Sequence, residues 1–221
     1  VRTAIERIGR KPTTGCDGIR ASDLLAACKG SAECMEAVVD EVRAWWEKPE
    51  IGIKNGGWNT TLTLLQKKFP PTIGNLRPIE VDSSMAKVVA EVLRGRLDVV
   101  VPAVAGESQF GFIRGRSAYA AILAANFFAE QGHPMILIDV ARAYTNVHVG
   151  RLQQWIVALG APAGVTRVLT AILHERNMDI KFKGRVWARV AAQRGLRQGN
   201  AGLVARTLQP VGETTERNDK M

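Results

Sequence analysis

The stretch Met135-Ile136-Leu137-Ile138-Asp139-Val140-Ala141-Arg142-Ala143-Tyr144-Thr145-Asn146-Val147-His148 decides how this chain is read. Four successive apolar residues, Met135 to Ile138, predict a buried strand, because a run without alternation is covered on both faces. That strand delivers one carboxylate, Asp139, and five positions later an aromatic ring, Tyr144. An Asp at the carboxyl end of a buried strand is held rigidly at the rim of a sheet. There it either caps the element that follows or ligates a metal.

Outside this stretch the composition is that of an ordinary globular chain of 221 residues, 46% hydrophobic and 23% charged, with enough length for a sizeable core. No apolar run reaches the roughly 20 residues of a membrane span, and no secretory signal is visible. A chain beginning at Val1 is expected to be processed or partial. Its three cysteines, Cys16, Cys28 and Cys34, are odd in number and lack zinc-type spacing. They predict reduced thiols in an intracellular compartment, with nucleus and mitochondrion both compatible. The net charge of +9 is unevenly placed: −1 over residues 1–50, +3 over 51–150 and +7 over 151–221. A basic second half is expected either of a polyanion-facing surface or of a solvated face with no such partner.

Along the chain, the periodicity predicts a short helix around Ile5 and Ile8, then a glycine turn (Thr14 to Ile19) feeding a second helix. Ser31 caps an amphipathic helix over 31–48, in which Trp45 and Trp46 fall at core spacing. A turn at Asn55-Gly56-Gly57 leads to strands over 60–65 and around 76–81, a hairpin that projects Lys67 and Arg77 the same way. Such a pair suits a triphosphate, with Lys as a mobile point charge and Arg as a planar fork, or is simply two surface cations. Ser83-Ser84 cap the next helix, which Pro102 is expected to end. Ser117 caps another over Ala118 to Gln131, apolar nearly all round and therefore expected to be buried. Helices over 151–159 and 165–174 and a hairpin over 178–191 complete the pattern, and a polar tail follows from Arg206.

Taken in order, these segments resemble a reverse transcriptase domain of the non-LTR retroelement and group II intron type. Thr14-Gly15-Cys16-Asp17-Gly18-Ile19 is similar to the family's Gly-Pro-Asp-Gly-Ile entry motif, with Cys at the Pro position. Gln66-Lys67 and Asn75-Leu76-Arg77-Pro78-Ile79 resemble its fingers hairpin, and Gln109-Phe110-Gly111-Phe112 with Gly115-Arg116-Ser117 resembles the segment that follows. Ile138 to Val147 is similar to motif A, and Leu196-Arg197-Gln198-Gly199 to motif B. The resemblance runs from about Ile5 to Gly199. It implies an α+β fold, the fingers and partial palm of a right-hand polymerase with the thumb absent. An N-terminal helical segment (1–50), fingers (51–135), partial palm (136–205) and a polar tail, disordered or extended (206–221), follow from it.

The resemblance also implies roles. Asp139 is the catalytic Mg²⁺ ligand of motif A. Tyr144 lies under the incoming sugar, Lys67 and Arg77 neutralise the triphosphate, and Gln198 and Gly199 flank the template–nucleotide pair. Arg114, Arg116, Arg176, Lys181, Lys183, Arg185, Arg189, Arg194 and Arg197 face an RNA backbone in a salt-dependent way. The departures are equally informative. Two-metal nucleotidyl transfer needs carboxylates bridging both ions, and the family takes them from motif A and from the Asp-Asp of motif C. This sequence contains no Asp-Asp, Thr145 stands at the usual second Asp of motif A, and the chain ends 22 residues after Gly199. The expected function is therefore that of a noncatalytic, retroelement-derived RNA-binding or scaffold subunit of a ribonucleoprotein, with RNA and protein partners and no cofactor. The alternative is the front portion of an active, Mg²⁺-dependent RNA-directed DNA polymerase whose motif C and thumb lie downstream.

Overall fold

Serine oxygens start three of the helices, each at the position its sequence predicts. The side chains of Ser31, Ser83 and Ser117 accept from the backbone N–H groups of Cys34, Ala86 and Ala120, all at 3.1 Å. Each satisfies one of the donors that a helix start leaves open. The computed structural model describes residues 1–10, 13–70, 72, 75–140, 143–144, 146–174, 177–182, 185–191 and 195–196. Among these run α1 (Arg2–Ile8), α2 (Ala21–Gly30), α3 (Ala32–Glu47), α4 (Pro49–Lys54), β1 (Thr60–Gln66), β2 (Leu76–Asp82), α5 (Ser84–Val104), α6 (Ala118–Glu130), α7 (Val149–Ala158), α8 (Ala163–His174), β3 (Asn177–Phe182) and β4 (Arg185–Ala191). The fold is α+β, with one mixed four-stranded sheet in the order β2-β1-β3-β4.

The core is helical. Ile5 and Ile8 of α1, Val38, Val42 and Trp45 of α3, and Val88, Val89 and Leu93 of α5 are buried together with Leu152 and Ile156 of α7 and Val168 and Ile172 of α8. These positions recur every three or four residues, so each helix turns one apolar stripe inward. Trp45 and Trp58 meet edge to face at 4.7 Å, and the Trp58 indole N–H donates to the Pro49 carbonyl at 3.0 Å. A Cβ at Gly57 would lie 2.0 Å from the Trp45 ring, so the glycine turn before β1 is what lets the chain pass under that indole. Both tryptophans are structural, and α3 carries Trp45 inward as its spacing predicts.

The Thr14–Ile19 turn has a role that its local sequence does not announce. Gly15 packs so closely on the Asp82 carbonyl that a Cβ there would sit 2.1 Å from it. Asp17 accepts from the Ser84 N–H at the start of α5, and the Ser84 hydroxyl donates to the Ile19 carbonyl at 2.8 Å. The turn therefore ties the end of β2 and the start of α5 to the N-terminal segment. It acts as a clasp between sheet and helices.

Three expectations are corrected. Residues 133–140 form no strand, and Ile136, Leu137 and Ile138 are 82%, 97% and 86% exposed. A strand needs a neighbour to take up its backbone groups, and none of the described strands lies alongside this segment. Helix α6, expected to be buried, has no buried residue, and Ile122 and Phe127 are exposed. Its all-round apolar surface predicts burial only if something covers it. Finally, α5 runs through Pro102 to Val104, so the proline removes one N–H from the last turn without ending the helix there. No helix among the described residues is long and apolar enough to cross a membrane.

Candidate nucleic-acid interface

The register of the sheet sorts its charges. Strand β1 pairs antiparallel with β2 (Thr61↔Val81, Thr63↔Ile79, Leu65↔Arg77) and parallel with β3 (Thr61↔Asp179, Thr63↔Lys181). Strand β3 pairs antiparallel with β4, with Asp179 opposite Arg189. Directly opposed residues share a face, and alternate residues along a strand return to it. One face of the sheet thus carries Arg77 from β2, Lys181 from β3 and Arg189 from β4. The ladder extends past β1, where the Lys67 N–H donates to the Asn75 carbonyl at 2.7 Å. Alternation from Leu65 sets Lys67 on the same face, as the hairpin pattern predicts.

These cations advance by steps of two residues, with Arg189 level with Thr61, Lys181 with Thr63, Arg77 with Leu65, and Lys67 beyond. With strands about 4.8 Å apart and about 3.3 Å per residue, the line from Arg189 to Lys67 spans about 20 Å. Lys67 and Arg77 are exposed and Lys181 is half-buried. All seven residues of β4 are exposed, whereas Thr61 of β1 and Asp179 of β3, on the same face as the cations, are buried.

Arg189 is differently placed from the others. Its guanidinium forks onto Asp179, with Nε to Oδ1 at 2.6 Å and the second bond at 3.0 Å. Those hydrogen bonds, opposed by burial and aided by the nearby charge of Lys181, hold the Asp179 carboxyl below the ordinary range. Most of the Arg189 charge is therefore balanced, and Lys67, Arg77 and Lys181 supply the net positive character of the face. Arg185, opposite Phe182 in the ladder, falls on the other face. Arg114 is exposed in the loop before α6. Arg116 gathers that loop, donating to the carbonyls of Gly106, Glu107 and Gln109. Arg176, Lys183, Arg194, Arg197, Gln198 and Gly199 lie outside the described residues.

The segments expected to flank a nucleotide are partly brought together. The Leu196 N–H donates to the Tyr144 carbonyl at 2.8 Å and the Gly195 N–H to the Val147 carbonyl at 3.1 Å. Tyr144 packs against the helical core, and Leu196 is buried within it. Asp139 is exposed five residues before. No group of three or more His, Cys, Asp or Glu side chains that could hold a metal occurs among the described residues, so Asp139 has no such companions there. A lone exposed carboxylate is a poor Mg²⁺ site, since the ion demands near-octahedral oxygen coordination. No protein-family model matches the chain.

Proposed function

We propose that this chain is a reverse transcriptase-like protein that binds RNA through the cationic face of its sheet and serves as an RNA-binding or scaffold subunit of a larger ribonucleoprotein. The observation that carries this reading is the row of cations on one face of the sheet, Arg189 of β4, Lys181 of β3 and Arg77 of β2, with Lys67 just past β1. A phosphate backbone is a line of negative charges, and a line of cations about 20 Å long on a sheet face complements it. The α+β composition and the Lys67/Arg77 hairpin agree with the fingers of the family the sequence resembles. In this reading the protein does not polymerise. Among the described residues Asp139 belongs to no group of three or more metal-ligating side chains, and Thr145 stands at the position of the second motif A carboxylate.

The test is equilibrium binding of a fluorescent RNA by the full chain across a salt series. Affinity is expected to fall linearly on a log–log plot. Replacing Lys67, Arg77 and Lys181 together by Ala should flatten the slope by about 2, at roughly 0.7 per lost single-strand phosphate contact. An RNA affinity unaffected by salt, or by the triple substitution, overturns the reading.

A second reading, the front portion of an active RNA-directed DNA polymerase, is favoured by α6 and residues 133–140. Apolar surface of that extent calls for a cover, whether from further chain or from a partner protein. Mg²⁺-dependent primer extension by the product of the complete reading frame, abolished by Asp139→Asn, would establish it in place of the first.

A further inference from the structure

Two of the three cysteines meet at the corner between α2 and α3. Cys28 lies just before the end of α2 and Cys34 in the first turn of α3, and their free thiol sulfurs stand 3.8 Å apart. The corner between them is short and fixed. Ser31 is the one residue separating the helices. Its N–H donates to the Ala27 carbonyl at 3.0 Å, and its hydroxyl accepts from the Cys34 N–H at 3.1 Å. Both sulfurs are therefore carried on braced helix ends, with about 1.8 Å to close before they reach the roughly 2.0 Å of a disulfide bond. Their surroundings differ. Cys28 is buried and Cys34 half-buried. Burial, then the hydrogen bond and charge of Cys34, push the Cys28 thiol up to about 11, which makes it the poorer initial nucleophile. Cys16 stands apart from the pair, its thiol donating to the Asn59 carbonyl at 3.1 Å.

We propose that Cys28 and Cys34 form a reversible dithiol–disulfide site whose co-reactant is a small-molecule disulfide of the glutathione class. The Cys34 thiolate attacks one sulfur of that disulfide, giving a mixed disulfide at Cys34. The other half leaves as a thiolate and takes up a proton. Cys28 then loses its proton to solvent and attacks the Cys34 Sγ, forming the Cys28–Cys34 bond and expelling the second half, which is protonated in turn. Two protein thiols are oxidised by two electrons, and one small disulfide is reduced to two thiols. The new bond closes the loop from Cys28 to Cys34 and ties the end of α2 to the start of α3. Excess small thiol reverses both steps. This chemistry asks nothing of the sheet face, so the site stands whether or not that face binds RNA.

The experiment equilibrates the folded full chain in glutathione buffers of graded thiol-to-disulfide ratio. Samples are quenched in acid, unfolded, alkylated and mapped by mass spectrometry. As the ratio falls, Cys28 and Cys34 should lose alkylation together with a single midpoint and yield a linked peptide, while Cys16 stays alkylated. Returning the chain to reduced glutathione should remove the linked peptide. Cys28→Ser should instead accumulate glutathione on Cys34, and Cys34→Ser should leave Cys28 free over the same range. The parent chain decides the outcome by itself, so a variant that fails to fold leaves the test intact. A parent that keeps both thiols until urea unfolds it overturns the site. So does one that holds glutathione on Cys34 without ever giving the linked peptide, or that links either cysteine to Cys16 or to a second chain.

Discussion

The buried stripes of α3, α5 and α8 and the exposed surface of α6 with residues 133–140 are built from the same kinds of residue. Val88, Leu93 and Ile172 are no more than 1% exposed, whereas Ile136, Leu137 and Ile138 exceed 80%. What separates the two regions is pattern. In α3, α5 and α8 polar residues alternate with apolar ones at helical spacing, so each helix has a dry side and a wet side and needs only one neighbour. Helix α6 is apolar on all sides, and its half-buried positions, Ala120, Ala121, Ala124 and Ala125, are the small ones. Apolar content states a demand for burial; which demand is met depends on whether the rest of the molecule supplies a facing surface.

The sharpest way to break this comparison is to remove side chains from the packed region. Trp58→Ala is expected to destabilise the chain by about 3–5 kcal/mol, because the ring is fully enclosed and the Gly52–Trp45 surroundings cannot collapse into the space. Leu93→Ala should cost about 2–5 kcal/mol by the same cavity effect. Both are read from urea midpoints at constant m. In the exposed region, Leu137→Lys should move the midpoint by less than about 0.5 kcal/mol, since a solvated side chain has no packing to lose. A large loss there would mean that the segment is covered in solution, and would erase the contrast between the two regions.

A smaller effect lies on the wet side of α5. Burial pushes the Glu91 carboxyl up, but hydrogen bonds from the Arg94 and Arg7 guanidiniums more than offset this and leave it below the ordinary range. A carboxylate depressed in the folded state contributes stability above its unfolded value, about 4.3, and that contribution is lost as pH falls through the lower folded value. Glu91→Gln should therefore narrow the stability gap between pH 7 and pH 3. The half-exposed Arg7 arm is screened by solvent and adds least.

Much of the fold is legible in the sequence, and the reason is locality. Helix starts at Ser31, Ser83 and Ser117, the stripe of α3 and the two hairpins all declare themselves within about two dozen residues. The parallel pairing of β1 with β3 does not, because Thr60 and Met178 are far apart in the chain and nothing near either one encodes the other. The candidate interface divides the same way. Lys67 and Arg77 are recognisable as a pair from one hairpin, while their alignment with Lys181 and Arg189 depends on that remote register. The sequence also does not reveal which cations are already engaged: Arg116 serves carbonyls of its own loop, and Arg189 serves Asp179. The buried strand expected at Met135–Ile138 fails for a related reason, since an apolar run specifies its own preference but cannot supply its neighbour.

The strand order has a consequence for how the molecule is made. About 95 residues separate the end of β2 from the start of β3. At roughly 5–20 residues per second of synthesis, the first hairpin waits about 5–20 s for the strand that covers its β1 edge. During that interval the backbone of Thr60 to Lys181's partner Thr63 has open hydrogen-bonding groups beside half-buried leucines, a template for any extended chain nearby. The Thr14–Ile19 clasp, already synthesised, can hold β2 and the start of α5 meanwhile. Sheet completion is then a late event governed by the arrival of residues 178–181, and the most vulnerable edge of this protein is one that its finished fold conceals.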